Sequence, residues 1–137
     1  MRWSDYGARG SGALRLLLAL SVALFVPFSA SAAPAMTVAE FLGKVDILKS
    51  KGIGAMWAPE ARQLRDEVET TSDAYRAGLA AQKASGRRPD SCPPPKGKSK
   101  LSARDFVGDL RAIPRAQQGM SFKSAFAALM RKRFPCP

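Results

Sequence analysis

Four amphipathic segments follow one another along the chain after residue 36, and each begins with a residue that favours a helix start. Thr37 with Glu40 three positions later matches a capping box, Pro59 suits a first helical turn, and Ser102 and Ser121 are good N-cap residues. Apolar side chains then recur three or four residues apart, which is the spacing of one helix face. The four apolar faces comprise Val38, Phe41, Leu42, Val45 and Leu48; Ala61, Leu64, Val68, Tyr75 and Leu79; Phe106, Val107, Leu110 and Ile113; and Phe122, Ala125, Phe126, Leu129, Met130 and Phe134. No run alternates in the manner of a strand, so the pattern predicts an all-α fold, a small bundle of about four helices.

Two of the three connectors between these helices have a distinctive composition. Residues 52–57 contain two glycines and four apolar side chains, which predicts a loop that is packed against the core. Residues 86–100 are rich in proline, glycine and basic residues, which predicts an exposed loop. The outer face of the second helix is charged, and we expect it to be solvated and to carry local ion pairs. Pro114 and Pro135 should end the third and fourth helices.

The first 32 residues have the three parts of a secretory signal. Arg2, Arg9 and Arg15 are followed by an apolar run of 13 residues, 16–28, and then by small residues up to Ala33. A membrane-spanning helix needs about 20 apolar residues, which makes a retained N-terminal anchor the weaker alternative. We expect cleavage after Ala32, a single domain over residues 33–137, no transmembrane segment after cleavage, and a periplasmic or secreted protein.

Cys92 and Cys136 are the two cysteines of the chain. Export would place them in an oxidising compartment, where an even number of cysteines favours a disulfide. Such a bond would close a loop of about 45 residues and stabilise the domain by about 4 kcal/mol on the chain-entropy view. The alternatives are a catalytic thiol and a metal ligand, and both lack a histidine partner because the chain contains none.

The absence of histidine also removes the commonest general base and metal ligand. Asp66, Glu67 and Glu69 could in principle act as acid and base, but they lie among arginines on a polar helix face. Residues 52–54 lack the strand and the third glycine of a phosphate-binding loop. We therefore expect a protein that is not an enzyme, with no catalytic residues, no metal and no cofactor. An enzyme that uses carboxylates alone stays as an alternative.

Positive charge is the remaining feature. The formal net charge of the chain is +11, and it falls to +9 without the first 32 residues, which carry three arginines and one aspartate. The candidate partner-binding residues form two clusters: Arg87, Arg88, Lys96, Lys98 and Lys100 in the loop, and Arg131, Lys132 and Arg133 at the end of the last helix. A bond between Cys92 and Cys136 would bring the clusters together as one basic patch. Export argues against a nucleic-acid partner and favours an acidic protein or an anionic envelope surface. Alternatively, the charge has no partner and serves partly to compensate a helix dipole.

The C-terminal half resembles a known family. Cys92-Pro93-Pro94, a helix capped at Ser102, a second helix and a terminal Phe134-Pro135-Cys136 are similar to the type VI secretion amidase-immunity (Tai) family. Tyr75-Arg76-Ala77-Gly78-Leu79 loosely resembles that family's Gly-Tyr-x-x-Gly helix. Two further cysteines that are common in the family are absent from this chain, and the proline-rich loop is longer and more basic.

The resemblance implies a small exported helical protein that binds and inhibits a cell-wall amidase toxin. On this hypothesis the chain is a non-catalytic periplasmic binding protein that occupies the active-site cleft of the enzyme, and the loop from Arg87 to Lys100 makes the contact. Its own oligomeric state is open between a monomer and a homodimer. The alternative is a structural or accessory envelope protein that binds anionic surfaces through the basic patch.

Overall fold

The computed structural model describes residues 35–137. Four helices occupy this range: α1 over Val38–Lys51, α2 over Pro59–Ala84, α3 over Ala103–Arg111 and α4 over Phe122–Arg133, with short 3-10 turns at Gly52–Trp57 and Arg115–Gln117. Thr37 and Ser121 form an isolated β-bridge, and no strand occurs between residues 35 and 137. A disulfide joins Cys92 to Cys136. The predicted all-α bundle with four helices and one disulfide is confirmed for this range, whereas the predicted signal peptide lies outside the described residues.

The helix starts follow from local capping. The Thr37 hydroxyl accepts a hydrogen bond from the backbone N–H of Glu40 at 3.2 Å, and the Glu40 carboxylate accepts one from the N–H of Thr37 at 2.7 Å. This is the predicted capping box. Ser102 and Ser121 cap α3 and α4 through the backbone N–H groups three residues later, at 3.1 and 3.2 Å. Each cap satisfies an N–H that the first helical turn leaves unpaired.

The helix ends are set by glycine and proline. At the end of α2, the N–H of Gly86 donates to the carbonyl of Lys83, and the N–H of Arg87 donates to that of Gln82. This is a Schellman motif, and Gly86 takes the left-handed φ of 73° that it requires. Helix α3 ends at Arg111, shortly before Pro114, the residue that was predicted to end it. The residue before a proline is disfavoured in helical conformation, and Ile113 precedes Pro114.

The starts of α1 and α4 are joined side by side. Besides the bridge between Thr37 and Ser121, the N–H of Val38 donates to the carbonyl of Met120 at 3.1 Å, and the N–H of Phe122 donates to that of Met36 at 2.8 Å. These bonds fix the register of the two helices. The core therefore begins at their first turns, where Val38 and Phe122 are fully buried.

Five aromatic rings organise the core. Phe41 stacks on Phe122 with ring centroids 4.3 Å apart, and Phe106 meets the rings of Phe41, Phe122 and Phe126 at 5.8–6.3 Å. Tyr75 of α2 packs edge-on against Phe126 at 5.7 Å. Pairs of this kind contribute about 0.5–1.5 kcal/mol each beyond the burial of their area. The predicted apolar faces of all four helices thus meet in one core.

The connector over residues 52–57, called the knuckle below, does not pack against the core. The side chains of Ile53, Met56 and Trp57 are 95%, 79% and 86% exposed. The prediction of a packed loop is wrong here, because the connector forms a short 3-10 turn that projects from the helix ends. Ala58, the residue that follows, is the first to be buried again.

The acidic residues of α2 make their ion pairs outside the helix. Glu60 bonds to Lys51 of α1 at 2.9 Å, and Asp73 bonds to Lys96 of the following loop at 2.6 Å. The side chain of Lys96 also lies 3.9 Å from Glu69. The expectation of local pairs within α2 is therefore wrong for these acids, which instead connect α2 to its neighbours.

Candidate functional site

Residues 86–100, called the strap below, run back along α2 and lead into the start of α3. The Cys92–Cys136 disulfide, with Cα atoms 4.9 Å apart, ties the strap to the C-terminal segment. The N–H of Cys92 donates to the carbonyl of Phe134 at 2.8 Å. The strap is therefore attached to the end of α4 through both a covalent bond and a backbone hydrogen bond.

Three side chains of α2 hold the strap from the other side. Arg76 donates to the carbonyl of Pro94 at 2.9 Å, and Gln82 accepts from the N–H of Asp90 at 2.9 Å. The hydroxyl of Tyr75 bonds to that of Ser91 at 2.7 Å, and Ser91 is 1% exposed. The strap thus has an irregular backbone that is nevertheless fixed along most of its length.

Three of the eight predicted partner-binding residues are bonded within the protein. Lys96 pairs with Asp73 and Glu69 of α2. Arg88 donates to the carbonyls of Cys136 and Pro137 at 3.0 and 2.7 Å. Arg133 donates through two nitrogens to Asp109 of α3, at 2.6 and 2.7 Å. These three cations stabilise the arrangement of the strap, the C-terminus and α3.

The other five predicted residues, which are exposed like these three, bind no acidic group between residues 35 and 137. The guanidinium of Arg87 donates a hydrogen bond to the hydroxyl of Ser85 at 3.1 Å. Lys98, Lys100, Arg131 and Lys132 make no ion pair with any residue between 35 and 137. The disulfide brings Arg88 to the C-terminus, whereas Lys96 lies over the middle of α2. The strap therefore presents Arg87, Lys98 and Lys100 to solvent as charges that no ion pair within residues 35–137 neutralises.

A cavity of about 300 Å³ lies under the strap, between α2, α3 and α4. Its walls are mostly apolar, with Phe106, Phe126 and Phe134 on one side and Pro93 and Pro94 on the other. Ser72, Ser99, Ser102 and Arg76 are the polar side chains among its lining residues, which include no carboxylate. This arrangement can accommodate an apolar group but brings no acid–base pair together.

The pKa values of three carboxyl groups depart from the ordinary range, and all three are lowered. The pKa of Glu40 is lowered chiefly by the backbone N–H of Thr37, that of Glu60 by the side chain of Lys51, and that of Asp105 by the hydroxyl of Ser102. Thr37 and Ser102 are N-cap residues and Lys51 connects α1 to α2, so each pKa shift arises from a contact that holds a helix in place.

Among residues 35–137 there is no cluster of three or more potential ligands placed to hold a metal ion.

The knuckle is the surface that the sequence analysis did not identify. Two glycines, a tryptophan and the absence of any acid from residue 47 to residue 59 were its available signals. Composition alone does not separate an apolar loop that packs inward from one that faces outward, because the orientation depends on the path of the backbone.

Within residues 35–137, no helix has both the length and the apolar character needed to cross a bilayer.

Comparison of the chain with models of protein families, with curated proteins and with solved structures found no match.

Proposed function

We propose that the chain is an exported, non-catalytic binding protein of the cell envelope that inhibits a cell-wall amidase by occupying its active-site cleft. The observation that carries this proposal is the strap, a basic segment with irregular backbone that is fixed before any partner arrives. Its outward charges, Arg87, Lys98 and Lys100, have no ion pair within residues 35–137.

Pre-ordering is the physical reason why such a segment suits binding. A loop that is already fixed loses little conformational entropy when a partner covers it. Irregular segments longer than about 12 residues are uncommon in compact domains and usually serve a function. The disulfide, the bonds from Arg76 and Gln82 and the Lys96–Asp73 pair all maintain one conformation of the strap.

The resemblance to the type VI secretion amidase-immunity family supports the choice of partner. It rests on Cys92-Pro93-Pro94 and on the terminal Phe134-Pro135-Cys136, and these two segments are joined in the fold. The Phe134 ring also lines the apolar cavity. The motif residues therefore close the domain, while specificity for one enzyme would lie on the more variable surface around them.

A periplasmic or secreted location belongs to the same proposal. Structural disulfides form and persist in oxidising compartments, and the Cys92–Cys136 bond agrees with export. The signal-like pattern of residues 1–32 points the same way.

A pull-down followed by an inhibition assay tests the proposal. The oxidised, processed protein is used as bait in envelope extract of the source organism, and material retained through a high-salt wash is identified by mass spectrometry. We expect one stoichiometric cell-wall hydrolase, whose cleavage of peptidoglycan is inhibited by the purified protein at equimolar concentration. The Lys98→Glu/Lys100→Glu double variant should bind this hydrolase at least about tenfold more weakly, a loss of about 1.4 kcal/mol.

Lys96 is left unchanged in this test because its charge reversal would also break the bond to Asp73. The matched control reverses Lys123 and Arg104, two exposed cations outside the strap, and should bind as the unmodified protein does. A hydrolase that binds without being inhibited would contradict the proposal. Retention of only salt-labile lipid or polymer would instead support the accessory role on anionic surfaces.

A further inference from the structure

We propose that the knuckle is a membrane-docking site, which inserts Ile53, Met56 and Trp57 into the interface of an anionic lipid bilayer. This inference does not depend on the proposed protein partner, because it concerns another surface of the molecule. It follows from the exposure of these side chains, from the rigidity of the turn that carries them and from the charges around it.

The knuckle concentrates apolar surface at one turn. Single exposed apolar residues are ordinary on soluble proteins, but contiguous ones mark interaction sites. Ile53, Met56 and Trp57 lie within five residues, and each exposes more than three quarters of its surface. Ile47, in the penultimate turn of α1, adds a side chain that is 44% exposed.

The knuckle is also held away from the core. The Lys51–Glu60 ion pair at 2.9 Å closes its base, and Lys44 of α1 donates to Gln63 of α2 at 2.7 Å. Gly52 turns the chain at the end of α1 with a φ of 54°, a conformation that other residues rarely adopt. The N–H of Ala58 donates to the carbonyl of Ala55 at 3.2 Å. These contacts fix the conformation of the turn, and this conformation exposes the apolar side chains.

The charges around the knuckle are positive. The nearest acids along the chain are neutralised, because Asp46 pairs with Arg111 and Glu60 pairs with Lys51. Lys49 and Arg62 are exposed and make no ion pair within residues 35–137. Two uncompensated cations, one on the helix before the knuckle and one on the helix after it, complement an anionic headgroup layer above a hydrocarbon interior.

This combination fits a lipid surface better than a protein surface. A stable protein interface buries about 800 Å² on each partner, and three side chains on one projecting turn supply only part of that area. Tryptophan prefers the boundary between bilayer and water, where its ring is apolar and its N–H can still meet a polar partner. Lysine and arginine near an anionic leaflet add electrostatic attraction that weakens with salt. The apolar side chains of the knuckle and the cations near it therefore indicate a bilayer rich in acidic phospholipid.

Tryptophan fluorescence tests the docking directly. The chain contains two tryptophans, Trp3 and Trp57, and Trp3 lies in the predicted signal peptide, so the processed protein that begins at Ala33 reports on Trp57 alone. Vesicles made of equal parts phosphatidylglycerol and phosphatidylcholine should shift its emission to shorter wavelength, and lipids brominated on their acyl chains should quench it. Vesicles of phosphatidylcholine alone should produce a much weaker shift.

Two variants test the residues while they keep the reporter. Ile53→Ser/Met56→Ser should partition to the anionic vesicles at least about tenfold more weakly, which corresponds to about 1.4 kcal/mol. Met120→Ser, at a 40% exposed apolar position outside the knuckle, is its control and should bind normally. Lys49→Glu should weaken binding about fivefold or more, whereas Lys132→Glu at the end of α4 should have a smaller effect.

Each contrary result has a definite meaning. If Trp57 emission does not shift at saturating phosphatidylglycerol, or if Ile53→Ser/Met56→Ser binds normally, the docking site is refuted. If the protein sediments as a dimer that the same double variant dissociates, a second copy covers the knuckle and the assignment to lipid is wrong. The strap variant Lys98→Glu/Lys100→Glu should retain the Trp57 response, so failure of the proposed inhibitor function leaves this test unaffected.

Discussion

Thr37 illustrates how much one residue at a helix start contributes. Its hydroxyl caps α1, its backbone N–H binds the carboxylate of Glu40, and its backbone forms the bridge to Ser121 at the start of α4. Loss of a capping side chain typically costs about 1 kcal/mol. Thr37 therefore affects both α1 and α4, because it caps the first helix and aligns it with the second. The core begins at the first turns of these two helices.

Glu40 makes the stability of the domain sensitive to acid. Its pKa is lowered from the ordinary 4.5 by the hydrogen bonds from Thr37. A carboxyl with a lower pKa in the folded state contributes stability above its unfolded pKa, and this contribution is lost as the pH falls through the folded pKa. Glu40→Gln keeps the capping geometry but removes the titration. We therefore expect urea unfolding of this variant, measured from pH 6 down to about pH 3, to show a shallower loss of stability.

Asp66→Asn is the control for that series. Asp66 is exposed on α2 and makes no ion pair within residues 35–137. The free energy of unfolding of this variant should fall with decreasing pH as steeply as that of the unmodified protein. Equal slopes for the Glu40 and Asp66 variants would show that the capping box does not contribute to the acid response. Glu60 and Asp105, whose pKa values are also lowered, should maintain part of the slope in both variants.

At the scale of elements, the sequence predicted the parts that depend on local chemistry. Thr37, Ser102 and Ser121 started helices because a cap needs only a side chain and an N–H three residues away. Gly86 ended α2 because the Schellman motif is also local. The knuckle was missed because its orientation depends on how α1 and α2 meet, and this is not encoded within its own six residues.

The candidate site was predictable only in part for the same reason. The disulfide and the basic strap were expected from composition and spacing. The ion pairs of Lys96 and Arg133 were not expected, because their acidic partners, Asp73 and Asp109, lie on other elements more than 20 residues away. Sequence reasoning can count such charges, but it cannot pair them before the helices are placed.

Helix α4 begins with unfavourable electrostatics that a single change should correct. Its first turn contains Lys123 and no acid, and its start lies beside the start of α1, so two positive ends of helix dipoles adjoin. Lys123→Glu should stabilise the domain by about 0.5 kcal/mol, which raises Tm by about 2–4 °C in a domain of this size. Differential scanning calorimetry measures this change.

Lys123→Gln separates charge from side-chain effects in that experiment. It removes the repulsion without adding attraction, so its Tm should lie between those of the unmodified protein and Lys123→Glu. A Tm that is lower for Lys123→Glu than for the unmodified protein would mean that this lysine makes a favourable contact that outweighs the dipole.

At the scale of the whole molecule, the disulfide is the longest-range constraint. Cys92 and Cys136 are 44 positions apart, and their bond limits the unfolded chain far more than a local contact does. Cys92→Ser/Cys136→Ser should lower the free energy of unfolding by about 4 kcal/mol on the chain-entropy view. Equilibrium urea unfolding of the oxidised protein and the double variant measures the difference.

The reduced form of the unmodified protein provides the second comparison. It should unfold at a urea concentration close to that of the double serine variant, because both lack the covalent constraint. If the two serine substitutions leave the midpoint and the slope unchanged, the hydrogen bonds around Cys92, including its N–H to the carbonyl of Phe134, would be sufficient to hold the strap.

The length of α2 has a mechanical consequence. Its 26 residues rise about 38 Å along the axis, with the knuckle before the first turn and Arg87 after the last. A helix of this kind works as a spacer between two chemically unlike ends. A group bound at Arg87 would lie about this far along the helix axis from a bilayer that holds Trp57, and each turn removed from α2 would shorten the distance by about 5.4 Å. The rest of the strap lies closer to the knuckle, because it runs back along α2 and brings Lys96 to Glu69 and Asp73. The distance between the knuckle and Arg87 is thus set by the number of helical turns in α2 and does not depend on which side chains bind.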